Sequence, residues 1–86
     1  MNIDDLTNLG VKSRQMLARA GIHTVAQLRK LGSVCAYAKV KALNVGAGLN
    51  LLWALEGVLT ERHWLDVAKN DRLRLLLELE DVEQDK

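Results

Sequence analysis

Apolar positions recur along this chain in short blocks at helical spacing, each closed by a glycine or a polar cap. No stretch alternates convincingly at the two-residue period of a strand. Asn2 can cap a first turn running through Leu6, and Asp5 suits a helix N-terminus. The Thr7-Asn8-Leu9-Gly10 segment breaks that turn, and a second helix is expected from about Lys12 to Ala20, burying Met16, Leu17 and Ala20. Gly21 followed by Ile22 is a stop signal: glycine takes the left-handed position and the isoleucine folds back on the helix. Thr24 and Gln27 have capping-box spacing and open a third helix that carries Val25, Leu28 and Leu31 inward. Gly32 ends it, and Ser33 is expected to cap a fourth helix reaching about Leu43.

The Asn44-Val45-Gly46-Ala47-Gly48 segment reads as a turn. The helix expected after it, about Leu49 to Leu59, is apolar nearly all round, which predicts a central position with Leu49, Leu52, Trp53, Leu55 and Leu59 in the core. Gly57 lowers helix propensity there and reads as a site of close helix–helix approach. Thr60 restarts a short helical stretch through Trp64 to about Ala68, and Asn70 or Asp71 caps a last helix drawing core contacts from among Leu73, Leu76, Leu77 and Leu79. The fold class expected is all-α, a compact bundle of five to six short helices. One domain should cover residues 1–80, with 81–86 as a fraying acidic tail.

Composition narrows the functional classes. At 86 residues and 49% hydrophobic, the chain can build one core without disulfides or metal. Cys35 is the single cysteine and reads as a small, half-buried hydrophobe, which fits a reducing compartment and a cytoplasmic protein. The longest apolar stretch is too short to span a bilayer. The net charge of +1 conceals an asymmetry: residues 1–45 carry seven Lys/Arg against two Asp, whereas residues 46–86 carry five against nine Asp/Glu. A polyanion would meet the first half, unless these are ordinary solvated faces.

The segment from Leu6 through Asn8-Leu9-Gly10-Val11-Lys12-Ser13-Arg14 to Gly21-Ile22-His23-Thr24 and Leu28 looks like a helix-hairpin-helix, within a SAM-like unit. Such a turn needs a positive φ at glycine, and it aims backbone N–H groups and a helix N-terminus at a DNA phosphate. The resemblance implies DNA-backbone contact through Asn8, Leu9, Gly10, Val11, Lys12, Ser13 and Arg14. Asn8 stands where the family usually has its first glycine; asparagine tolerates the left-handed conformation, and its side chain crowds an approaching phosphate.

The second half is more specific. Gly48-Leu-Asn-Leu-Leu-Trp-Ala-Leu-Glu-Gly-Val-Leu-Thr-Glu-Arg-His-Trp64 resembles the signature of the C-terminal domain of the TfoX/Sxy regulators, and the resemblance extends over roughly residues 3–80. It implies a regulatory adaptor domain of natural competence, acting with the cyclic AMP receptor protein or RNA polymerase and contacting double-stranded DNA weakly. The front half is also similar to the C-terminal domain of the RNA polymerase α subunit, which has no counterpart of the Trp53 motif. TfoX proteins usually carry a further domain before this one, so the chain reads as an excised domain or a stand-alone relative.

Two other classes stay open: a stand-alone helix-hairpin-helix module on DNA, and a structural or dimerisation domain. His63 and Trp64 form either a partner-binding corner or, respectively, a helix cap and the closing edge of the core. His23 reads as an exposed loop residue, and Tyr37 either joins the basic surface or buries its ring. Nothing matches a nucleotide loop, a metal-ligand spacing or a catalytic constellation, so neither enzymatic activity nor a cofactor is expected.

Overall fold

The computed structural model describes residues 9–43 and 47–84. Among these the chain forms six helices and no strand: α1 (Val11–Arg19), α2 (Val25–Leu31), α3 (Ser33–Leu43), α4 (Leu49–Thr60), α5 (Trp64–Asn70) and α6 (Arg72–Gln84). The turn expected over residues 2–6, Asn8, and residues 44–46 of the later turn lie outside the described residues.

The punctuation of the first half is built from local hydrogen bonds. At the end of α1 the Ile22 N–H donates to Leu17 O at 2.9 Å and Gly21 N–H to Ala18 O at 3.0 Å, with Gly21 at φ +83° and Ile22 buried. That is the expected glycine stop, satisfying carbonyls the helix leaves open. The capping box also forms: Gln27 N–H donates to Thr24 Oγ1, and Gln27 Oε1 accepts from the Thr24 and His23 N–H groups. Gly32 alone joins α2 to α3, at φ 83° and ψ 158°, a conformation open essentially to glycine only.

Several expectations change. Ser33 does not cap α3; it is the first helical residue, and its hydroxyl donates to the Glu56 carboxylate at 2.7 Å. The central helix is α3 rather than the more apolar α4, because α3 packs against α1, α2, α4 and α6 while α4 packs on α3 and α5. Ser33, Ala36 and Ala38 are small and buried, which lets neighbours approach α3 from several sides. Tyr37 buries its ring and donates its hydroxyl to Ala47 O at 3.0 Å; burial raises its pKa, with Lys41 opposing. Gly57 is buried, but the close approach is by a turn: a Cβ there would lie 2.6 Å from the Arg62 carbonyl oxygen. That turn follows α4, with Glu61 in the left-handed region at φ 56° and Arg62 N–H donating to Gly57 O at 2.9 Å.

The last helix buries Leu75 and Leu79, with Leu76 and Val82 packed partly against the core. Leu73 and Leu77, expected among the core candidates, are 72% and 54% exposed. They lie half a turn from Leu75, so at 100° per residue they point away from the bundle. Leu49 and Cys35, also expected to be buried or half-buried, are exposed. The acidic stretch 78–84 is helical, and Glu83 pairs with Lys41 of α3 at 3.6 Å.

Candidate functional site

The hairpin residues divide by burial. Leu9 is buried in the core and anchors the start of α1, whereas Gly10, Val11 and Lys12 are exposed and Ser13 and Arg14 half-buried. Gly10 is the N-cap of α1 and accepts from the Arg14 N–H at 3.1 Å. Its φ of −69° and ψ of 166° are extended, which corrects the expectation of a positive φ. Nothing lies within 4 Å of a Cβ built there, so neither conformation nor packing calls for glycine. What the missing side chain leaves is open backbone at a helix N-terminus, where the first-turn amides of Val11, Lys12 and Ser13 concentrate positive potential. No acidic residue sits in that first turn.

The surroundings reinforce this potential. Residues 9–43 contain seven Lys/Arg and no Asp or Glu. Lys12 and Arg19 on α1, Arg29 and Lys30 on α2, and Lys39 on α3 are exposed, and none pairs with a carboxylate among the described residues. His23 is exposed, as expected. The described part of this half can attract an anionic polymer.

His63 and Trp64 lie in the other half. His63 Nδ1 accepts from the Leu65 N–H at 3.1 Å and so caps α5. Trp64 is 39% exposed and stacks on the His63 ring, centroids 5.8 Å apart, with Leu65 exposed beside it. His63 is thus the expected helix cap, while Trp64 lies in an exposed aromatic corner rather than closing the edge of the core. It does not join that corner to the hairpin: α5 packs on α4 and α6, and α1 on α3.

Sequence reasoning missed a polar network that ties four segments together. Glu56, 9% exposed on the otherwise apolar α4, accepts from Ser33 of α3 at 2.7 Å and from Arg74 of α6 at 2.8 Å. Arg74 also bonds Asp71 at 3.1 Å and Glu78 at 3.2 Å, while Arg62 holds Asp71 and lies 3.4 Å from Asp66. The Arg62 hydrogen bond holds the Asp71 carboxyl below its ordinary range, and the Glu56 hydrogen bond holds Arg74 more firmly protonated than usual. A lone acidic residue inside an apolar helix was the available signal, since a buried carboxylate needs partners.

A sequence profile of the TfoX C-terminal domain matches residues 1–79. The chain belongs to this family. It is 32% identical over 80 residues to the DNA transformation protein TfoX of Haemophilus influenzae (strain ATCC 51907 / DSM 11121 / KW20 / Rd), a match covering 93% of the chain and 37% of that protein. The chain therefore spans little more than a third of that TfoX protein. The TfoX C-terminal fold described above is also similar to the crystal structure, in a triclinic form, of an uncharacterized protein from Listeria monocytogenes. There the TM-score is 0.81 at 26% identity, over 96% of this chain and 94% of the other.

Proposed function

We propose that this TfoX C-terminal domain is a non-catalytic, cytoplasmic regulatory adaptor in competence for DNA transformation. It works through contacts with proteins of the transcription machinery, the cyclic AMP receptor protein or RNA polymerase, and its basic half holds the DNA backbone weakly. Membership in the TfoX family supports the competence role. The DNA contact is carried by one observation: an exposed glycine N-cap, required by neither φ nor packing, opens the stretch 9–43, which has seven basic residues and no acidic one. Open backbone at a helix N-terminus admits a phosphate, and surrounding lysine and arginine side chains raise its local concentration without reading sequence. Among the described residues no helix is long and apolar enough to cross a membrane. The exposed His63–Trp64 corner is the proposed protein-facing surface.

An NMR titration of the labelled chain tests both parts, first with a generic duplex and then with the candidate activator or polymerase. Duplex-induced shifts should cluster at residues 9–14, weaken with log salt concentration and shrink in Gly10→Ala, whose stability should change by no more than roughly 1 kcal/mol. Shifts confined to Trp64 and α6, or binding indifferent to salt, would remove DNA from the proposal. A stand-alone DNA module is the second reading, favoured by exposed Lys12, Arg19, Arg29, Lys30 and Lys39, which have no carboxylate partner among the described residues; it requires tight duplex binding with no protein partner present.

A further inference from the structure

We infer that Arg62 is a positioning residue for the His63–Trp64 corner, an inference that rests on the reading of that corner as the protein-facing surface. Helix α5 carries the corner at its start and is too short to hold it unaided. It has seven residues, well below the roughly 12 to 15 at which a helix becomes even marginally stable alone. It buries Val67, with Ala68 half-buried, whereas Trp64 and Leu65 are exposed, so the core does little to fix either.

Arg62 supplies what packing does not. Its Nε donates to Thr60 Oγ1 at 3.2 Å, at the end of α4. Its two terminal nitrogens reach Asp66 in the first turn of α5, at 3.4 Å, and Asp71, the C-cap of the same helix. A planar guanidinium holds these donors in one fixed fork, which a lysine's point charge would not, so the end of α4 and both ends of α5 are set relative to one another. The backbone adds to this: the Arg62 N–H donates to Gly57 O, and the Arg62 carbonyl oxygen occupies the space that a Cβ at Gly57 would need. The corner begins at the next residue, where His63 Nδ1 takes the Leu65 N–H and Trp64 stacks on the imidazole. Arg62 therefore acts on the two rings through the helix that carries them. Arg74 shares Asp71 but holds it from α6, with Glu56 and Glu78 as its other partners, and so braces α6 against α4 instead.

NMR of the free chain decides this. The His63 and Trp64 rings are stacked with centroids 5.8 Å apart, and an aromatic ring displaces the resonances of protons held over it. Arg62→Gln should move the His63 ring resonances toward their values in Trp64→Ala. It should also speed hydrogen exchange of the Val67 and Asp71 amides at least roughly tenfold, with the amides of α3 far less affected. Arg74→Gln removes the neighbouring cation of the same network, and should lower the urea midpoint while leaving the His63 resonances in place. Unmoved His63 resonances in Arg62→Gln overturn the inference, as does an equal displacement in Arg74→Gln, which would make the corner a reporter of stability alone. Binding of the candidate activator or polymerase separates this inference from the reading beneath it. If Trp64→Ala weakens that binding, Arg62→Gln should weaken it too, and unchanged affinity in Arg62→Gln would overturn the positioning role. Binding untouched by Trp64→Ala removes the protein-facing reading, while the free-chain resonances still decide whether Arg62 holds the corner.

Discussion

The two halves of this domain carry opposite charge and are held together by different means. Residues 9–43 contain basic side chains but no acid, and their helices are joined by local devices: a glycine stop after α1, a capping box on α2 and a single glycine before α3. Lys41 reaches an acidic partner across the boundary, Glu83 at 3.6 Å. Residues 47–84 hold eight acids and four bases, and Arg62, Arg74, Glu56 and Asp71 cross-link α4, the turn before α5, and α6. One half thus keeps much of its charge, on Lys12, Arg19, Arg29, Lys30 and Lys39, open to solvent and rests on apolar packing. The other pairs much of its charge within the chain. A surface meant for an anionic polymer loses attraction with every carboxylate it pairs, so the openness of the first half is what the proposed DNA contact requires.

The strongest way to break this contrast is through the first half's packing. Leu28 is fully buried beneath the basic surface, and Leu28→Ala should cost about 2–5 kcal/mol. Urea midpoints at low and high salt should fall equally, because an apolar cavity is indifferent to screening. A salt-dependent loss would mean that charge pairing supports this half as well.

In the second half the corresponding lesion is electrostatic. Arg74→Gln removes the cation from Glu56, which is 9% exposed and keeps only the Ser33 hydroxyl. Arg74 itself is half exposed, so the cost should be roughly 1–3 kcal/mol, below that of a fully buried pair. Adding Glu56→Gln in the same chain should recover part of the loss, since a neutral amide tolerates the site better than an unpaired carboxylate. If the double variant is additive, the two side chains are not coupled.

The halves also differed in how legible they were. The glycine stop at Gly21 and the capping box at Thr24 and Gln27 follow from spacing alone, because each is completed within five residues of chain. The all-α class and the family were readable for similar reasons. Glu56 finds Ser33 twenty-three residues back and Arg74 eighteen ahead, and no local rule pairs them. The same limit explains α3. Its small residues give weak hydrophobic periodicity, yet they make it the helix others can approach, so the conspicuously apolar α4 was the natural but wrong choice for the centre. On α6 the leucines outnumber the buried positions, and spacing could not decide which of the two stripes faced inward.

Acid should sharpen the comparison further. Asp71 titrates below its ordinary value because Arg62 and Arg74 bond its charged form. The unfolded chain therefore takes up a proton first as pH falls. The stabilisation present above the unfolded value, near 3.8, is lost as pH drops through the lower folded value. Asp71→Asn should be less stable than the parent near neutrality and show a flatter decline below about pH 4 in urea midpoints. Equal slopes for the two proteins would remove Asp71 as a contributor.

The smallest effect is the one that bears most on function. Lys12→Gln, Arg29→Gln and Lys39→Gln each remove an exposed charge without a carboxylate partner among the described residues, so each should change stability by less than about 0.5 kcal/mol. Because residues 9–43 carry basic side chains and no acidic one, the triple variant should be slightly more stable at low salt, and the gain should vanish as salt screens the repulsion. Its duplex affinity should fall, with a shallower salt dependence by up to three phosphate contacts' worth, roughly −0.9 in log–log slope for each. Stability and binding would then move in opposite directions in the same three positions. Charges retained at a cost to the fold are charges kept for a partner, and a triple variant that lost stability at low salt would instead assign them to the fold.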